Sequence, residues 1–354
     1  MEVLLSILEW FTYISVSLLM GWVILGYVDD TQKPIISASK NLPMWFAASI
    51  PVAAFGNILS LTLTLSNEQS VAQTLFLIVT ETRVGQAWFV LLFVSILVAL
   101  SIYLESHRHI QLGFSVGVLL ALSYASHAAS QNIWVGLGAH LVHFLTVAVW
   151  AGIVFYVGWF VKEDKHWQAF LKWFTPLAVG CVVLAFSTGF LLMWLIVGFD
   201  HYVDAWATPY GHALLLKHIT IIPLLLFAVI NGFLSRKVNQ EQHYSPIHWI
   251  RAESIVLLLV FLWTGMMTTQ SPPIDIEHIA THSTIFPFIY GRPVSLPLEI
   301  EVTMISILFL GISLLFALYL IVSFYKKMNS WMSIVCSFLL VFALYISVLT
   351  SIRL

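Results

Sequence analysis

The sequence predicts an all-α integral membrane protein with about ten transmembrane helices and both termini outside. Three observations carry this. Of 354 residues, 60% are apolar and only 9% are Asp, Glu, Lys or Arg, against roughly 25% charged residues in soluble domains. Ten apolar runs reach the length of about 20 residues that an α-helix needs to cross a bilayer. The 15 Lys and Arg fall mainly on one side of the layout those runs define.

The first run, Val3–Val28, has no basic segment before it and no small-residue cleavage site after it, and it is too long for a signal peptide. It is expected to stay as the first helix. Leu42–Leu65 is the second. Val71–Thr80 is apolar but too short to cross, so it reads as an interfacial or re-entrant piece. The third, Val84–Leu104, is opened by T-E-T-R-V-G-Q-A (Thr80–Ala87). The fourth, Ile110–Ser130, closes on S-H-A-A, and a short link leads to H-L-V-H in the fifth, Leu137–Val161. Trp173–Val197 is the sixth. Pro209 and Gly211 permit a sharp start to the seventh, Gly211–Leu234, and Pro272–Pro273 close the eighth, Ile247–Thr269. An outer loop with five prolines, Gln270–Pro297, precedes the ninth and tenth, Leu298–Phe324 and Trp331–Ser351.

Orientation follows the rule that Lys and Arg favour cytoplasmic loops. Loops one, three, five, seven and nine, with adjoining helix ends, hold Lys33, Lys40, Arg108, Lys162, Lys165, Lys172, Arg236, Lys237, Arg251, Lys326 and Lys327, eleven in all. The other side holds four: Arg83, Lys217, Arg292 and Arg353. A weak internal similarity fits this layout. The start of the third helix shares Thr, Gly and Ala with A-T-P-Y-G-H-A (Ala207–Ala213) at the start of the seventh. Glu9, Thr12 and Gly21 of the first helix align with His140, His143 and Gly152 of the fifth. The first eight helices thus read as two parallel four-helix repeats, since an offset of four helices preserves orientation. The expected division is 1–273 for the eight-helix core, 274–297 for the proline-rich outer loop and 298–354 for two further helices.

Composition excludes other classes. A net charge of −2 gives no basic field for nucleic acid. Cys181 and Cys336 lie in separate runs, so neither a disulfide framework nor a C-x-x-C motif can be built. No phosphate-loop motif is present, and no inner loop is long enough for a nucleotide-handling domain. Lipid is the expected surrounding partner; nucleic acid and nucleotide are not, nor is an enzymatic role.

Histidine is the outlying count, with 13 in a chain that otherwise avoids polar groups. Five fall inside: His107, His109, His166, His243 and His248. Eight fall outside or in outer helix ends: His127, His140, His143, His201, His212, His218, His278 and His282. Imidazole ligates Cu, Zn, Fe and Ni, and ionisable groups in a membrane are costly enough to suggest function. His140 and His143, three apart, share one helix face, and the short link brings His127 to the same outer lip. A single such His is explained as well by hydrogen bonds to headgroups or carbonyls; three together favour a metal. Met193, Met266, Met267 and Met304 lie near outer helix ends, where thioether with imidazole suits Cu(I). Each alone is explained as well by gap-filling between helices. Glu9 and Glu81, the latter beside Arg83, are candidate buried acids, though interfacial pairing explains them as well. Arg251 and Glu253 read as an inner network with Asn231 and Arg236. The candidate metal ligands are His127, His140, His143, His212, His218, Met193, Met266 and Met267.

The chain resembles the copper resistance protein D family of bacterial inner-membrane proteins. The resembling residues are S-H-A-A (Ser126–Ala129), His143 with Trp150 and Gly152, S-T-G (Ser187–Gly189) and T-P-Y-G-H-A-L-L-L-K (Thr208–Lys217). Asn231, R-A-E (Arg251–Glu253) and Pro272–Pro273 fit the same pattern. The resemblance covers roughly Met1–Pro273 and is strongest from Ser126 onward. It implies copper passage across the plasma membrane, in concert with an external copper-binding carrier protein. The last two helices and the proline-rich loop extend past the family core. Without an ATP-handling domain, a facilitator draws on the membrane potential, about 2.3 kcal/mol per charge per 100 mV, which favours uptake of cations. The alternative is a haem-binding electron carrier or oxidase-assembly factor, with His143 and His218 as axial ligands.

Overall fold

Backbone polar groups in hydrocarbon must pair within their own segment, so the apolar runs fold as helices. The computed structural model describes residues 1–66, 70–163, 165–234, 246–274, 276–292, 296–326 and 328–353. Arg236, Lys237, His243 and Lys327 lie outside these described residues. The chain forms two compact units, Met1–Ile196 and Val197–Leu354.

In the first unit the helices are α1 (Glu2–Leu25), α2 (Leu42–Leu65), α3 (Val71–Glu81), α4 (Arg83–Tyr103), α5 (Arg108–Tyr124), α6 (His127–Gln131), α7 (Ile133–Phe160) and α8 (Trp167–Ile196). The second contains α9 (Pro209–Val229), α10 (Ile247–Thr268), α11 (Ile276–His282), α12 (Ile285–Tyr290), α13 (Met304–Tyr325) and α14 (Ser330–Leu349). Among the described residues nine helices are long and apolar enough to cross a membrane: α1, α2, α4, α7, α8, α9, α10, α13 and α14. The fourth predicted span, Ile110–Ser130, is interrupted. α5 ends at Tyr124, and Ser126 opens α6 by accepting the Ala129 N–H on its Oγ at 3.3 Å. At 17 residues, α5 is roughly 25 Å long at 1.5 Å per residue, the short end of spanning lengths.

Gly21 and Gly152 bring α1 and α7 into backbone contact. A Cβ on Gly21 would lie 2.8 Å from the Gly152 Cα, and one on Gly152 would lie 2.9 Å from the Gly21 Cα. Only glycine lets the two backbones approach so closely. Further along the same pair of helices, the Tyr13 ring meets the edge of Phe144 at 5.4 Å and 73°. Both contacts have the same separation in sequence, so α1 and α7 run parallel and in register. α2 packs along α1, with Ser49 Oγ donating to Ser15 Oγ at 3.2 Å. A two-stranded pairing of β1 (Ile35–Ile36) with β2 (Val161–Glu163) joins the loops that follow α1 and α7.

Threonine starts two of the helices in the same way. Thr82 Oγ1 accepts from Gly85 N at 3.1 Å, and Thr208 Oγ1 accepts from Gly211 N at 3.1 Å. Each glycine lies on a carbonyl of the turn before it, Ile78 and Ala205 respectively. These are the two T-x-x-G sequences whose likeness was noted above.

In the second unit α9, α10 and α14 pack on one another, and α13 packs on α14. The last two helices thus pack within this unit, α14 on α9 and α10 and α13 mainly on α14. Phe286, Leu298, Val341 and Leu349 share an apolar cluster with Trp206, Leu215 and Ile219. Asp204 Oδ1 accepts from Leu298 N at 2.7 Å, and β3 (Glu299–Ile300) pairs antiparallel with β4 (Ile352–Arg353).

Candidate metal-handling site

The α6–α7 turn is built from polar caps. Asn132 Oδ1 accepts from Trp134 N and Val135 N at 3.2 and 3.1 Å and starts α7. Arg83 reaches across from α4 and donates to the carbonyls of Ala129 (2.8 Å) and Ser126 (3.2 Å). S-H-A-A is thereby clamped, and His127 sits half-buried at the first position of α6. Glu81 is exposed, so it is no buried acid.

His140 and His143, predicted to face one ion, are turned to different neighbours. His140 Nδ1 pairs with Ser123 Oγ at 3.1 Å, at the end of α5. His143 Nδ1 lies 2.9 Å from the Ala185 carbonyl and 3.3 Å from Thr188 Oγ1, both on α8. Positions three apart on a helix differ by roughly 60° in direction, enough to separate the rings between two flanking helices. Because a carbonyl only accepts, His143 Nδ1 carries the proton and Nε2 holds the lone pair. That is the arrangement of a metal-ligating imidazole oriented by an outer hydrogen bond. Gly189 makes room for it, since a Cβ there would lie 3.3 Å from His143 Cε1. The S-T-G sequence is therefore the bed of the His143 ring.

Next to His140, the Phe144 ring receives its edge contact at 6.0 Å and 77° and that of Tyr13 from α1. Glu9, at the level of His140 on the parallel helix, accepts from Asn57 Nδ2 and from the Tyr13 hydroxyl. Asn57 and Ser123 had no distinguishing signal in the sequence, since such residues are common in apolar helices, whereas Thr188 lies in the S-T-G already singled out. Met193 is half-buried on α8.

In the second unit His212 uses both nitrogens. Nδ1 lies 3.3 Å from the Trp206 carbonyl and Nε2 2.8 Å from the Tyr345 hydroxyl. The carbonyl requires a donor, so Nδ1 is protonated and Nε2 accepts from Tyr345. Ligation through His212 thus requires release of Tyr345. His218 Nδ1 is 2.6 Å from the Tyr202 hydroxyl. Burial lifts the Tyr202 phenol above its ordinary value, and the hydroxyl and Nδ1 share one proton-bearing contact whose direction follows the His218 tautomer. Met266 is 38% exposed and Met267 9%; neighbours on a helix point about 100° apart, so the two do not serve one site together. Met304 is exposed. Towards the other end of this unit Asn231 Nδ2 donates to Glu253 Oε2 (2.7 Å) and to the Trp249 carbonyl (3.2 Å). Among the described residues no group of three or more His, Cys, Asp or Glu is arranged to hold a metal ion.

Nine helices among the described residues, long and apolar enough to span, define a multi-pass protein of the cell membrane. Residues 168–267 match the family model for copper resistance protein D, and residues 1–138 match that for the copper resistance protein D-like, N-terminal domain. The chain belongs to the copper resistance protein D family. A copper transport protein, CutJ, of Bacillus subtilis (strain 168) is 27% identical over 221 residues, covering 57% of this chain and 39% of that protein. The chain therefore spans about two fifths of that relative's length. No solved structure matches. The descriptions name copper and none names haem.

Proposed function

We propose that this protein carries copper ions into the cell across the membrane, acting as a transporter rather than an enzyme. The observation that carries the reading is His143, whose Nδ1–H is held by the Ala185 carbonyl at 2.9 Å, which leaves Nε2 as the ligating nitrogen. His140 joins it when its bond to Ser123 exchanges for the metal, His127 is added from the start of α6, and Met193 adds a thioether from α8. His212 and His218 are the corresponding soft ligands of the second unit, with a thioether from Met267 or from Met266 but not from both. The end of the first unit bearing Lys33, Lys40, Arg108, Lys162, Lys165 and Lys172 is cytoplasmic by the positive-inside rule, which puts His140 and His143 outside. The two halves of the first eight spans act as parallel repeats, and an external copper-binding protein delivers the ion.

Cellular copper content decides this. Deletion of the gene should lower it and overexpression raise it; the reverse result would assign export. At equal membrane abundance, joint His140→Ala and His143→Ala substitution should abolish the gain, while His248→Ala, exposed on α10, should leave it intact. Undiminished copper in the double variant would remove the site assignment.

A further inference from the structure

We propose that His107 and His109 form a second binding site for a soft metal ion, at the end of the first unit remote from His143. α5 links the two places: His107 caps its start, and Ser123, the partner of His140, lies at its end. The sequence H-R-H splits in two directions here. His107 has a non-helical backbone (φ −56°, ψ 138°), and this brings its ring beside that of His109, with centroids 4.9 Å apart and planes at 30°. Arg108 goes the other way. Its guanidinium stacks over Trp22 at 4.6 Å, donates to Gln111 Oε1 at 3.1 Å and fills the space beside Gly26, where a Cβ would lie 2.7 Å from Cζ. The cation between the histidines is drawn into the helix bundle, and two exposed imidazoles are left together.

Capping does not account for the pair. Ser, Thr, Asp and Asn cap helices best, and the bond from His109 N to His107 Nδ1 is long, at 3.4 Å. Tyr27 contributes a further feature. Its hydroxyl is 2.9 Å from His109 Nδ1, a partner that fixes the ring and leaves Nε2 as the outward nitrogen, as an outer-shell group does for a ligating histidine. Two imidazoles without a carboxylate suit copper or silver rather than Mg or Ca. The pair's role as the station from which copper leaves the helices rests on the transport reading; its ability to bind a metal does not.

The test uses the purified full-length protein with Ag+ alone as a redox-inert probe. Diethyl pyrocarbonate labelling of each histidine is read by mass spectrometry. Ag+ should protect His107 and His109 together, and His109→Ala should restore labelling of His107. Tyr27→Phe should weaken the protection about tenfold in Ag+ concentration, the lower limit of outer-shell effects on metal affinity. Unchanged labelling of both histidines at saturating Ag+ would overturn the site, even in cells whose copper uptake is normal. Protection in a protein that leaves cellular copper unchanged would uphold the site and overturn transport instead.

Discussion

Glu9 and His140 stand at the same depth on two helices that run side by side in one direction. Their level is fixed by the contact of Gly21 with Gly152 and of Tyr13 with Phe144. A carboxylate bonded by Asn57 thus accompanies the imidazole-bearing face of α7. Ionisable side chains in a span are expensive and face the bundle interior, so the parallel pair of helices concentrates the polar groups of the first unit.

Gly152→Ala should destabilise the protein by roughly 1–3 kcal/mol, as overpacking does, because the new Cβ meets the Ser17 carbonyl and the Gly21 backbone. Thermal unfolding in detergent measures it. Gly138→Ala on the same helix, where a Cβ meets nothing within 4 Å, should leave the midpoint unchanged or raised. Equal midpoints for both variants would contradict the close crossing.

Gly189→Val should push the His143 ring off α8, since even a Cβ lies 3.3 Å from Cε1. Metal affinity should fall by about tenfold or more, as for loss of an outer-shell support. Equilibrium dialysis with Cu(I) and a competing chelator reads the change. Wild-type affinity would mean that His143 is not a ligand.

Tyr345→Phe should cost roughly 1–3 kcal/mol by leaving the His212 Nε2 acceptor without its donor. Removal of α13 and α14 should do more, because α14 also packs on α9 and α10 and supplies Val341 and Leu349 to the apolar cluster. Thermal melts of the Phe variant and of the truncated chain provide the comparison. A truncation as stable as the full chain would make the last two helices dispensable to the second unit.

Reporter tags should resolve orientation. One inserted between Lys162 and Lys172 should be cytoplasmic, and one between Gln270 and Pro297 external, from the bias of Lys and Arg. The opposite result for both would invert the direction proposed for copper.

Helices were legible because spanning segments announce themselves by length and apolarity, and Pro209, Gly211 and Pro272 sit at real boundaries. The break at Ser126 was not, because a serine in an apolar run reads equally as a buried hydroxyl or as a cap. The His140–His143 spacing gave a shared face but not the neighbours. Ser123 and Ala185 come from α5 and α8, and which helix flanks each ring is a property of packing. Likewise the place of α14 rests on Tyr345 meeting His212 across more than a hundred residues, a relation that periodicity does not encode.

The short pairing of β1 with β2 has a mechanical consequence. It ties together the loops that trail α1 and α7, two helices already locked in their closing turns by Gly21 and Gly152, so that the pair forms a single stave. Any cycle that opens this unit alternately to the two sides of the membrane must draw its movement from the helices around that stave. α8, which carries the bed of His143, is the part best placed to move against it.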